Sequence, residues 1–131
     1  MIAINTPVAG DSIGALSLVL ALIIGHMLGD FPLQGQFLAL GKERNYWLRN
    51  DTPTPPTKSM WLYCLTAHSL IQGGIVWLIS GSIILCCLEF VIHWTIDFLK
   101  SEGHLSFTSD QILHIGTKVL FVVAIYLGLV S

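Results

Sequence analysis

Glu89-Phe-Val-Ile-His93-Trp-Thr-Ile-Asp97-Phe-Leu-Lys100 sets polar groups at steps of four, four and three, with apolar residues or Thr between them. At about 100° per residue, Glu89, His93, Asp97 and Lys100 line one narrow stripe of a helix whose other faces are apolar. A carboxylate, an imidazole and a second carboxylate in one stripe suit a metal ion or a proton relay, and a lipid-facing surface does not tolerate them. The rest of the chain is read as supplying partners for this stripe.

The 131 residues are 53% hydrophobic and 11% charged, with mean hydropathy +0.74. Soluble domains carry about 25% charged residues, so the balance points to a membrane protein. A formal net charge of −2 without a basic patch excludes a nucleic-acid partner. Cys64, Cys86 and Cys87 form no C-x-x-C pair and no disulfide framework; small apolar packing is their expected role. No Lys or Arg precedes the first apolar run and no small-x-small site follows it, so it is read as a retained spanning helix.

Four apolar stretches approach the roughly 20 residues that a bilayer crossing takes. They are Ser12 to Phe31, Met60 to Ser80, Ser82 to Lys100 and Asp110 to Val130. A tight turn at Gly81 joins the middle two, and Thr108 or Ser109 is the expected cap of the last. Leu33 to Asn50 reads as an interfacial helix, with Phe37, Leu40 and Trp47 on one side and Lys42, Glu43 and Arg44 on another. Thr52-Pro-Thr-Pro-Pro-Thr57 follows as a stiff extended linker. The expected fold is all-α: a four-helix transmembrane bundle with a short interfacial helix in the first cytoplasmic connection, one integral membrane domain over residues 1–131. Lys42, Arg44, Arg49, Lys58 and Lys100 all lie in or beside the connections on one side. The positive-inside rule then places the chain in the inner (cytoplasmic) membrane with both termini outside.

With that topology, a rise of about 1.5 Å per residue brings His26, His68, His93 and His114 to similar depth on four helices. Asp30, Asp97 and Asp110 lie one turn nearer the cytoplasm. Singly, such a histidine is often a helix–helix hydrogen-bond partner, and Asp110 suits a helix N-terminus. As a set they are expensive within a membrane, and such groups are usually functional. Asp30, Glu89, Asp97 and Asp110 face Lys100 and Lys118, which leaves about two negative charges for cations to neutralise. Mixed imidazole and carboxylate donors suit a divalent transition metal, zinc first and manganese or iron as alternatives, as one or two ions.

Supporting residues follow. Gly25 and Gly29 allow close approach of another helix, and Gln72 and Gln111 are placed to hydrogen-bond the ligands. Lys118 reaches the depth of Glu89, and the two are expected to form a structural ion pair. Gln34, Lys42 and Lys100 lie at the cytoplasmic rim, where they hold an anionic group of a substrate or anchor the chain in lipid.

His26-Met-Leu-Gly-Asp30-Phe-Pro-Leu-Gln34, Lys42, His68, His93-x-x-x-Asp97-x-x-Lys100 and Asp110-Gln111-x-x-His114 resemble a group of small bacterial and phage membrane proteins known only as a domain of unknown function. The resemblance runs from about Gly25 to His114 and implies a compact multi-pass protein without implying an activity. The set is also distantly similar to bacterial membrane-bound metal-dependent hydrolases, whose intramembrane histidines and acids are thought to hold the metal.

The expected function is a membrane-embedded metal-dependent hydrolase acting on a lipid or another amphipathic ester or phosphoester at the cytoplasmic leaflet. His26, His68, His93 and His114 are the expected metal ligands, with Asp30, Asp97 and Asp110 as ligands or general base. Lys100 completes the catalytic group, and Lys42 and Gln34 bind substrate. One alternative is transport of a metal ion or protons. Another is a non-catalytic subunit of a membrane assembly, its polar cluster specifying helix packing or ligating a pigment or haem. Membrane lipid is the expected partner, and a homo-oligomer or a larger membrane complex stays open.

Overall fold

In the computed structural model, which describes residues 11–46 and 57–130, all regular structure is helical. The elements are α1 (Ser12–Asp30), α2 (Gly35–Gly41), α3 (Met60–Ser80), α4 (Ile83–Ser101) and α5 (Phe107–Tyr126). Asp11 caps α1 by accepting from the Gly14 N–H at 3.0 Å, and Pro32 ends it because it has no N–H for the Leu28 carbonyl, which accepts from Leu33. Gly81, at φ +76, closes α3 with its N–H on the Trp77 carbonyl. That left-handed step lets α4 begin two residues later and run back along α3.

Among the described residues three helices are long and apolar enough to cross a membrane: α1, α3 and α5. The expectation of four apolar spans is corrected for α4, which is as long as α1 but carries Glu89, Asp97 and Lys100. The last helix also begins earlier than expected, at Phe107, because Ser106 and neither Thr108 nor Ser109 is its cap, accepting from the Ser109 N–H. It ends at Tyr126, short of Val130, where the Gly128 and Leu129 N–H groups turn back onto Ile125 and Ala124. The interfacial helix is shorter than Leu33 to Asn50. It stops at Gly41, which lies so close to α3 that an added Cβ would stand 2.6 Å from Cys64 Sγ. Trp47 and Arg49 of that segment, and most of the Pro-rich linker, lie outside the described residues.

The four long helices form a ring in which α1 packs on α3 and α5, and α4 packs on the same two. Its polarity is inverted relative to a water-soluble protein. Ile13, Leu20, Trp77, Ile84, Val91 and Leu120 are among many large apolar side chains exposed on the outside. Such an apolar exterior suits lipid and is far beyond the patches that soluble monomers show. Inside, the half of the ring near the Gly81 turn, the start of α1 and the end of α5 is ordinary apolar core, with Leu18, Leu22, Val76, Leu85, Phe121, Val122 and Ile125. The other half holds charged and imidazole side chains.

Close helix approach is set by small residues. A Cβ at Gly73 would stand 2.9 Å from the Cys86 carbonyl oxygen of α4, and one at Gly29 2.5 Å from the Gln72 amide. Gly73→Ala must push two backbones apart and is expected to cost about 1–3 kcal/mol. Gly74→Ala meets nothing within 4 Å and is expected to be neutral or to gain up to about 1 kcal/mol of helix propensity. Thermal unfolding in mild detergent compares the two, and equal effects would contradict the close contact of α3 with α4.

Candidate metal centre

Each long helix contributes one imidazole to the interior: His26 from α1, His68 from α3, His93 from α4 and His114 from α5, all without solvent exposure. The rings touch in sequence around the bundle. Centroids are 4.9 Å apart for His68 and His93, 4.0 Å for His93 and His114, and 4.9 Å for His114 and His26. Asp30, Asp97 and Asp110 each lie four residues from a histidine on the same helix, so each carboxylate shares that ring's face.

Two groups of donor atoms result. In the first, His93 Nε2 lies 3.0 Å from His68 Nε2. His68 Nε2 is 3.3 Å from Asp30 Oδ1 and 3.4 Å from Asp97 Oδ2, and His93 Nε2 is 3.7 Å from the same two oxygens. In the second, His114 Nε2 is 3.3 Å from Asp97 Oδ1 and 3.4 Å from Asp110 Oδ1. Bonds of about 2.0–2.2 Å to a tetrahedral zinc ion place its ligand atoms about 3.3–3.6 Å apart. Asp30, His68 and His93 form one group of three donors close enough to share an ion, with Asp97 Oδ2 beside its two histidines, and Asp97, Asp110 and His114 form a second. His26, His93 and His114 form a third grouping close enough to share an ion. The donor set therefore fits a borderline-soft transition metal better than magnesium or calcium.

Surrounding contacts orient these donors. Glu89 Oε1 lies 3.2 Å from His93 Nδ1 and accepts from Lys118 Nζ at 2.6 Å. With Glu89 as acceptor, His93 carries its proton on Nδ1 and turns the Nε2 lone pair toward the cluster. Gln72 Nε2 donates to Asp30 Oδ1 at 2.6 Å and Gln111 Nε2 to Asp30 Oδ2 at 3.0 Å. The missing side chain of Gly29 makes the room that Gln72 occupies. Both ring nitrogens of His26, Nδ1 of His68 and of His114, and Asp110 Oδ1 are buried without a hydrogen-bond partner. Polar atoms so placed are rare and call for a cause, an ion or water among them.

Two lysines reach in from the rim. Lys42 Nζ donates to Asp97 Oδ2, and Lys100 Nζ donates to Asp110 Oδ2 at 2.8 Å. Gln34 turns its amide nitrogen to the Asp30 carbonyl at 2.8 Å and its oxygen to Lys42. The expectation of two excess negative charges is thereby corrected. Lys42 is a third cation, and four carboxylates against three ammonium groups leave one charge in excess with the imidazoles neutral. A cavity of about 780 Å³ opens on this side, lined by Gln34, Lys42, Asp97, Lys100, Glu102 and Phe107 among others. Asp97 thus touches both the buried donors and the cavity.

The seven residues read from the sequence as metal ligands occur together. Lys42, Lys100 and Gln34 lie on their cavity side, and Glu89 with Lys118 lies behind them. Sequence reasoning missed the Lys42–Asp97 pair, which spans 55 residues and leaves no local signal. It also missed the role of Glu89 toward His93, although their four-residue step on one helix was there to show it.

Apolar membrane-length helices wrapped round a buried histidine and aspartate core define a membrane-type helical protein. The chain belongs to the family described as "Protein of unknown function (DUF3307)", whose model matches residues 18–130. No curated protein and no solved structure matches it.

Lys118 and Glu89 are both fully buried, so removing one strands the other. Lys118→Met is expected to destabilise by about 3–5 kcal/mol. The double variant Glu89→Gln/Lys118→Met is expected to lose less. Equal losses in a double-mutant cycle read by unfolding in mild detergent would show that the pair does not act as a unit.

Proposed function

We propose that the protein is a membrane-embedded, metal-dependent hydrolase acting on a lipid or another amphipathic ester or phosphoester. The observation that carries this reading is the convergence of four imidazoles and three carboxylates, several of their atoms unpartnered, beside a cavity with two lysines at its mouth. On this reading all four long helices cross the inner membrane. The charged groups of α4 face inward, while Ile83, Ile84, Leu88 and Val91 face out, so its lipid side is apolar although the helix as a whole is not. Lys42, Arg44, Lys58 and Lys100 on one side put the cavity at the cytoplasmic leaflet and both termini outside.

The histidines and aspartates would hold a divalent transition metal, zinc first and manganese or iron otherwise, which when bound would supply an activated water as nucleophile. The chain does the rest. The histidines and aspartates hold the ion, and a carboxylate oxygen left free by it accepts the proton of the attacking water. Lys42 and Lys100 steady the anionic part of the substrate, with Gln34 holding Lys42 in place. The apolar remainder of an amphipathic substrate stays in the lipid around the cavity mouth.

Protein purified in mild detergent is expected to carry stoichiometric transition metal and to hydrolyse a long-chain chromogenic phosphoester. Chelation and His93→Ala are each expected to remove both. Glu89→Gln, which weakens the orientation of His93, is expected to lower metal affinity about 10–100-fold. Metal-free native protein, or unchanged metal content in His93→Ala, would end this reading. Bound metal with ion flux into proteoliposomes and no hydrolysis would replace it with transport.

A further inference from the structure

We infer that the centre holds two metal ions bridged by Asp97, one in a closed buried position and one in an open position. This rests on the metal-dependent reading above and specifies it. The two oxygens of Asp97 face different donors. Oδ2 lies with His68 Nε2 and His93 Nε2, whereas Oδ1 lies with His114 Nε2. A bridging carboxylate uses its two oxygens in this way, and the donor groups on either side are each close to complete. Asp30, His68 and His93 supply three ligands within reach of one ion, and Oδ2 of Asp97 would be the fourth that closes a tetrahedral site. His114, Asp97 and Asp110 supply three, which is the count of a site that keeps a position for water or substrate.

An observation independent of the spacing points the same way at the open position. Asp110 Oδ1 is buried and has no hydrogen-bond partner, although Oδ2 of the same carboxylate accepts from Lys100 and Gln111. His26 stands beside it, its ring 4.9 Å from that of His114 and neither nitrogen hydrogen-bonded, with Nε2 3.5 Å from Asp30 Oδ2. Two divalent ions bring four positive charges against the three negative ones of Asp30, Asp97 and Asp110 and so displace the ammonium groups of Lys42 and Lys100, which sit on two of those acids. The cavity between the freed lysines then favours an anionic ligand such as a phosphoryl group, which a pair of ions about 3.5–4 Å apart is suited to clamp.

The test is metal loading of the whole chain in mild detergent, stripped with a chelator and titrated with manganese(II). Equilibrium dialysis gives the number of ions bound, and low-temperature electron paramagnetic resonance tells a coupled pair from isolated ions. Two ions per chain with an exchange-coupled spectrum are expected. His114→Ala is expected to keep one uncoupled ion, that of the closed position. One ion per chain in the native protein, or two without coupling, overturns the bridged pair while leaving a metal centre in place. No ion at all overturns the hydrolase reading as well. Two coupled ions persisting in His114→Ala would remove the assigned open position, and should that variant fail to fold, the native stoichiometry and spectrum decide alone.

Discussion

Asp97 is the carboxylate on which the interior turns. It takes a lysine from the rim, lies against His68 and His93 with one oxygen and against His114 with the other, and touches the cavity. Such concentration follows from a general constraint. A helix ring with an apolar exterior offers little water to its interior, so the charged groups placed there take partners chiefly from the other helices. Partners drawn from α1, α3, α4 and α5 then tie the four together at one depth, where lipid gives apolar side chains little reason to associate.

The two halves of the core contribute differently. The apolar half, around Leu22, Val76 and Phe121, packs by shape and tolerates volume-conserving change. The polar half is specific, because a carboxylate shifted by one helical position faces lipid or loses its ring. Glu89 and Lys118 stand between the halves, a buried pair that aims His93 and closes the polar zone. Burying such a pair rarely adds net stability. Its value lies in the orientation that it imposes on His93.

Function follows from the asymmetry of the site. Donors crowd on the interior side and cations reach from the cavity side, so a ligand entering from the rim meets ammonium groups before it meets the carboxylates. The lysines now bound to Asp97 and Asp110 compensate those acids in the absence of another cation.

Helical periodicity in the sequence by itself determined the stripes: Glu89, His93, Asp97 and Lys100 on one face, His26 with Asp30, and Asp110 with His114. That pattern is local, since side chains three or four residues apart must share a face. The apolar character of α1, α3 and α5 was legible for the same reason. The helix α4 was read as apolar because only three of its residues are charged. The cap at Ser106 was misplaced because several hydroxyl residues in a row compete for it. Only the tertiary structure decided which oxygen of Asp97 meets which ring, that Lys42 crosses from the first connection to reach it, and that Gln72 fills the space beside Gly29. Those contacts depend on how far apart and how rotated the helices are. Interhelical packing sets both, through small residues such as Gly29 and Gly73, and no periodicity within a single helix encodes them.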